Sequence, residues 1–271
     1  MSNRRYLLSD LDVARFVVNG YLILKPRFRK GLHEEITQKL DKMRRNPGDA
    51  ITDVLPELKK IVDHSSVKGA FTSLLGKNYE LKTHRHWHLK PPGSDFMHWH
   101  QDSTNNRRAG INQILALYYP HDVTAEMGPT IIAPGTQFRN APTDRMATYT
   151  NIRGQIALTV KAGTIALTHY DLWHGTAANR SRKKRHMVKF LVKRTSENIT
   201  PSWNHQPDAL ARSANSDIEV YKNAGDVRNI LTSSNPLNVG QSDRLKERAI
   251  RIHCWKLLMG EPTEQGSSLT L

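Results

Sequence analysis

The chain has 271 residues, 38% hydrophobic and 24% charged, a balance that excludes a disordered protein and allows one large hydrophobic core. A single cysteine, Cys254, excludes an intramolecular disulfide and a thiolate zinc cluster; it fits a reducing compartment, and a cytoplasmic protein is expected. With 40 Lys and Arg against 25 Asp and Glu the net charge is +15, which attracts anions, whether a small acid, a phosphate or a nucleic acid backbone, without choosing among them.

In chain order, the N-terminal stretch MSNRRYLLSDLDVARF has no uninterrupted apolar core of signal-peptide type, and no later run approaches the ~18 apolar residues of a membrane helix, so no membrane partner is expected. Ser9 reads as the N-cap of a short amphipathic helix with acids in its first turn and Gly20 as its stop. YLILK (21–25) reads as a strand, and residues 31–45 as a helix with basic residues in the last turn, where the dipole favours them. Asn46-Pro47-Gly48 breaks the pattern, and a further helical region covers about 54–76. From residue 79 the apolar runs shorten and turn residues recur. The segments 111–119, 129–134, 154–160, 163–169 and 186–194 read as strands at the spacing of a sandwich or barrel. Residues 195–241 are polar without a clear period, 242–258 read as a capped helix with a basic face, and the last residues as a tail. No repeat or composition shift marks a second domain. One domain is expected: a helical part at 8–78, a β core at about 79–195 and an extension at 196–271.

His100-Gln101-Asp102 follows the strand-like stretch FMHWH. Residues i and i+2 of a strand point the same way, so His100 and Asp102 offer a nitrogen and an oxygen to one point. A second histidine would complete the 2-His-1-carboxylate face of the non-heme Fe(II) oxygenases. His174, just after the strand GTIALTH, is the candidate. Arg185 lies eleven residues further on, at the start of the next strand, and its planar fork suits the carboxylate of a keto acid.

Weaker signals surround these. His84, His86 and His88 share one strand face with Lys82 and Lys90; turned inward, they favour an anionic substrate, and in the alternative Arg85, Trp87 and Leu89 turn inward instead. His98 lies two residues before His100, and Trp173 next to His174; both are substrate candidates, with packing the competing reading. On the strand 111–119, Gln113 is a candidate for the keto-acid carboxylate and Tyr118 for substrate. Arg180, Arg182, Lys183 and Lys184 read as a solvated loop; without interleaved aromatics, nucleic acid is the less favoured partner.

Three ordered motifs, LKPPGSDFMHWHQD (89–102), DVTAEMGPTIIAPGTQ (122–137) and HGTAANRSRKKR (174–185), together with the helix leading into GYLILK, resemble the phytanoyl-CoA dioxygenase family over roughly residues 8–195. The resemblance implies a mainly β fold with flanking helices, a double-stranded β-helix (a cupin-like jelly roll). It implies Fe(2+) on His100, Asp102 and His174, with Arg185, helped by Thr176, on the far carboxylate of 2-oxoglutarate and His86 near that cosubstrate. Thr136-Gln137 stands where Ser-His is common in the family, and Asp102, present rather than Gly or Ala, argues against a halogenase. The implied reaction uses O2 to hydroxylate an unactivated C–H of a small, anionic substrate, releasing succinate and CO2. The alternatives are a dioxygenase acting on a protein or nucleic acid, and a non-catalytic binding protein of the same fold. Specificity is expected from the N-terminal helices, the 79–98 region and the segments 138–153 and 195–241.

Overall fold

The computed structural model describes residues 4–102, 109–139, 151–197, 200–206, 227–238 and 240–261. Much of the two segments expected to set specificity, 138–153 and 195–241, and the tail beyond 261 lie outside these.

Ser9 begins α1 (Asp10–Asn19) with a reciprocal cap: its hydroxyl accepts the Asp12 N–H, and the Asp12 carboxylate accepts the Ser9 N–H. Gly20 closes the helix in the left-handed region at φ 73°, leading into β1 (Tyr21–Leu24). After α2 (Leu32–Lys42) comes a short α3 (Ile51–Val54), and the helical region expected at about 54–76 holds two helices, α4 (Glu57–Val62) and α5 (Ser65–Leu75). Pro56 brings no N–H to continue α3, and the His64 ring accepts the Ser66 N–H at 3.2 Å to start α5 afresh.

Eight more strands follow: β2 (Tyr79–Lys90), β3 (Met97–His100), β4 (Gln113–Tyr118), β5 (Thr130–Ile132), β6 (Ile156–Ala157), β7 (Ile165–His169), β8 (His174–Thr176) and β9 (Arg185–Arg194). They form two antiparallel sheets, β1-β7-β4-β9-β2 and β3-β8-β5-β6, the expected jelly roll. His174–Thr176 form the short strand β8, and the expected strand 154–160 pairs with β5 through Ile156 and Ala157 in β6, with Val160 bridged separately to Val123. Helices α6 (Val227–Thr232) and α7 (Gln241–Met259) complete the described chain.

Alternation in the five-stranded sheet feeds two cores. Ile114, Ala116 and Tyr118 of β4 and Val188, Phe190 and Val192 of β9 join the helices in the larger one. Leu115, Leu117, Tyr119, Met187 and Leu191 fill the smaller core between the sheets. On that second face β9 also carries Arg185 and Lys189, both buried. A cation inside a sheet sandwich costs several kcal/mol unless it has a partner, so these two mark the site.

Candidate active site

The ends of β3 and β8 bring two histidines together, with His100 directly opposite His174 in the register and ring centroids 4.2 Å apart. The Nδ1 of each sits 2.9 Å from a backbone carbonyl, that of His98 for His100 and of Leu172 for His174. A carbonyl only accepts, so each Nδ1 carries the proton and each Nε2 presents a lone pair. Asp102, just past β3, places Oδ1 3.9 Å from both Nε2 atoms. The ligand atoms of His100, Asp102 and His174 all lie within 4.8 Å of one another. Burial, then the neighbouring His100, push the His174 imidazole down to about 4, so it is neutral and ready to ligate at neutral pH.

Gln101 points away from this centre. Its amide donates to the carbonyls of Arg139 (3.0 Å) and Asp171 (2.9 Å), tying the bend after β3 to the turn that carries His174.

The centre opens into a cavity of about 390 Å³ between the sheets, walled by His88, Lys90, Leu117, Thr176, Met187 and Arg185 among others. Arg185 is 2% exposed, and its Nε and Nη1 have no hydrogen-bond partner. Opposite it in the β2–β9 register, Lys90 donates to Thr176 Oγ1 at 3.0 Å and to the Asp95 carbonyl. Asn179 holds the two chain segments in place: its amide donates to the carbonyls of Lys90 (3.0 Å) and Lys183 (2.8 Å). Lys189 donates to Asp102 Oδ2 at 3.1 Å. Burial first, then the charges of Lys189 and Arg185, push the His88 imidazole down to about 3, so it is a neutral wall.

Other expected residues are placed elsewhere. Tyr118 faces the helix side of its sheet, where its hydroxyl meets His33 Nδ1 at 2.8 Å; Tyr119, one residue on, turns inward and bonds Thr130 at 3.0 Å. A substrate role for Tyr118 is thereby corrected: a shift of one residue changes the face of the sheet. His98 is not on the cavity wall, because three steps along β3 pair with two along β8 and the bulge re-aims it; its ring packs edge-on against Phe96. Trp173 sits outside the wall, its indole N–H on the Arg139 carbonyl at 3.3 Å and its backbone N–H on Thr136 Oγ1 at 3.0 Å. Gln113 shares the inward face but pairs with Lys193, two layers beyond the Leu117–Lys189 pair, and does not line the cavity. His86 lies one strand step outside His88, against Asp49 at 3.3 Å. Arg180, Arg182, Lys183 and Lys184 are exposed, as a solvated turn requires.

Sequence reasoning missed Lys189, Tyr119 and Asn179. The signal for Lys189 was present: it lies four residues after Arg185 on one strand, hence on the same face. A larger groove of about 940 Å³ beside α5 has no His, Asp or Glu on its wall and offers no such ligand set.

No curated protein sequence matches the chain. Solved structures of similar fold include HygX from Streptomyces hygroscopicus with iron bound (TM-score 0.60, 14% identity, 78% of this chain and 95% of that one). Two others are SnoK, a non-heme α-ketoglutarate-dependent carbocyclase from nogalamycin biosynthesis (0.56, 18%, 78% and 93%), and EctD from S. alaskensis with 2-oxoglutarate and 5-hydroxyectoine (0.54, 16%, 72% and 80%). At such identities the likeness carries the jelly roll alone. The model of the phytanoyl-CoA dioxygenase family matches residues 17–187, more than half of the chain and a span that holds both histidines, Asp102 and Arg185. The chain belongs to the phytanoyl-CoA dioxygenase family and is an iron- and 2-oxoglutarate-dependent oxygenase.

Proposed function

We propose that this oxygenase hydroxylates an unactivated C–H bond of a small anionic organic molecule, with iron on His100, Asp102 and His174 and the far carboxylate of 2-oxoglutarate on Arg185 and Thr176. The observation that carries the reading is the Arg185 guanidinium, buried without partners for Nε and Nη1 on the wall that also holds the His/Asp/His set. A charge left so in a dry site calls for an opposite charge, and a planar fork selects a carboxylate. The donor set fits a ferrous ion: two imidazole Nε2 atoms and one carboxylate oxygen converge, and three protein ligands would leave further coordination positions for cosubstrate and dioxygen.

When bound, iron and cosubstrate supply the activation of dioxygen, coupled to oxidative decarboxylation to succinate and CO2. The chain supplies the surroundings. The carbonyls of His98 and Leu172 fix both imidazole tautomers. Leu117 and Met187 supply apolar parts of the cavity wall, and Arg185 with Thr176 would hold the far carboxylate of the cosubstrate. Lys189 is paired with Asp102, but Lys90, which has no carboxylate partner among the described residues, adds a cation to the same wall beside Arg185, which supports an anionic substrate. HygX has been solved with hygromycin B and EctD with 5-hydroxyectoine, which supports a small molecule over a macromolecule here. SnoK and SnoN, a carbocyclase and an epimerase, have similar folds, so the outcome after C–H cleavage rests on substrate placement and not on the fold.

The test is Arg185→Leu under anaerobic Fe(II), followed by the visible charge-transfer band as 2-oxoglutarate is added. Iron affinity stays as in the wild type and 2-oxoglutarate affinity falls by about two orders of magnitude, in line with the roughly 2–5 kcal/mol lost when one partner of a buried charged pair is removed. An unchanged affinity overturns the assignment of Arg185. Succinate release stimulated by small organic acids is expected; stimulation by oligonucleotides or peptides alone overturns the substrate class.

A further inference from the structure

Besides the candidate iron centre, one other group among the described residues converges as metal ligands do: Asp49, His84 and His86, with ligand atoms within 4.8 Å of one another. Strand geometry accounts for two of them. Residues 84 and 86 of β2 point the same way, and their ring centroids lie 4.0 Å apart. The third comes from the 3-10 turn Gly48–Ala50. Asp49 Oδ1 accepts the Arg85 backbone N–H at 3.1 Å, which anchors the carboxylate beside β2, 3.3 Å from His86 Nε2.

The nearby cations are engaged elsewhere. Lys82 pairs with Glu80 at 3.1 Å, the Arg85 guanidinium donates to Thr52, and among the described residues no Lys or Arg forms an ion pair with Asp49. In a chain of net charge +15, an acid without a Lys or Arg partner, beside two imidazoles tilted against each other, is an arrangement that suits a cation.

We propose that Asp49, His84 and His86 form a second metal site, taking a borderline divalent cation of the zinc type. Two nitrogens and one oxygen are the donors such an ion prefers, and three protein ligands leave a coordination position for water or an anion. Bonds of about 2.0–2.1 Å bring tetrahedral ligand atoms to roughly 3.3 Å from one another. Asp49 is exposed and both histidines are partly so, which leaves the side chains room to rotate inward. His86 is the next inward residue along β2 from His88, ring to ring 6.0 Å, and His88 lines the cavity. The second ion would therefore sit next to the cavity wall at His88, where its open position suits an anion. The site itself does not depend on the reading of the first centre.

Equilibrium dialysis against Zn2+ with a weak competing chelator, followed by elemental analysis, tests this. The wild type takes up two equivalents, one for each group. His84→Asn/His86→Asn takes up one and keeps its iron affinity and melting temperature. His100→Ala/His174→Ala also takes up one, held by the second site. One equivalent in both the wild type and the β2 variant overturns the proposal, as does a β2 variant that keeps two. Full uptake by His100→Ala/His174→Ala instead sinks the first centre and leaves the second standing. Co2+ loading gives an independent readout: a tetrahedral visible spectrum that vanishes in the β2 variant supports the site, and its absence from the wild type overturns it.

Discussion

At the Asp102 carboxylate the two oxygens have different partners. Oδ1 faces both histidine Nε2 atoms, and Oδ2 accepts from Lys189. Burial alone raises the carboxyl, and the charges of His174, Lys189 and His100 bring it below its usual value. Lys189 thus steadies the ionised carboxylate without metal and opposes a second positive charge beside it. Lys189→Met is expected to lower the stability of the metal-free protein by about 1–3 kcal/mol, less than the roughly 3–5 kcal/mol of a fully buried pair because both groups keep some solvent. Divalent metal then restores the melting temperature by more than in the wild type. An unchanged melting temperature without metal would mean that Asp102 finds another partner. His88 makes a second case. Its folded pKa of about 3 lies below the ordinary value near 6.5, so between those values the unfolded chain binds a proton that the folded chain refuses. Its contribution is present above pH 6.5 and lost as the pH falls. In urea unfolding of metal-free protein, the wild type is expected to lose about 1–2 kcal/mol more than His88→Gln between pH 7 and pH 5; equal losses would refute the burial of a neutral imidazole.

His100, Asp102 and Arg185 were legible because a short motif and a strand parity suffice to place them. Tyr118 was not, since INQILALYY is apolar on both faces and its alternation carries no phase. Elements show the same limit. The break at Pro56 was readable, yet the His64 cap depends on a ring nitrogen that composition does not reveal. Strand β8 was hidden in HGT, whose small residues read as a turn until β3 lies against them. Gly175 is there for that contact: a Cβ would stand 2.7 Å from the Met97 carbonyl and 3.1 Å from that of His98. Both obstacles are backbone, and the His98 carbonyl also holds the His100 ring. Gly175→Ala is expected to push β3 off β8 and separate the two imidazoles, lowering Ni2+ or Fe(II) affinity at this centre tenfold or more, about 1.4 kcal/mol, while circular dichroism stays native. Unchanged affinity would show that the sheet absorbs the methyl group without moving the ligands.

For the whole molecule, the order of helices then strands announced a β core with helical additions, but not that the last helix belongs to it. The family match stops at residue 187, whereas α7 buries Ile250, Cys254, Trp255 and Leu258 in the larger core, with Trp255 edge-on to Trp203 at 5.3 Å. The helix also reaches the site. Asp243 and Glu247 meet the Arg139 guanidinium at 3.2 and 3.6 Å, and the Arg139 carbonyl accepts from Gln101 and Trp173, neighbours of the candidate ligands. Burial of each large apolar side chain contributes about 1.5–3 kcal/mol, so Ile250, Trp255 and Leu258 together approach the roughly 5–15 kcal/mol that stabilises a whole domain. A chain ended at Gly240 is therefore expected to lose its near-ultraviolet dichroism, bind a hydrophobic dye and run as aggregates on size exclusion, although every candidate iron and 2-oxoglutarate residue is still present. If it melts cooperatively near the wild-type temperature, α7 is an ornament and the jelly roll closes without it. If it folds but binds metal weakly, the path from α7 through Arg139 to Gln101 is what the helix chiefly provides.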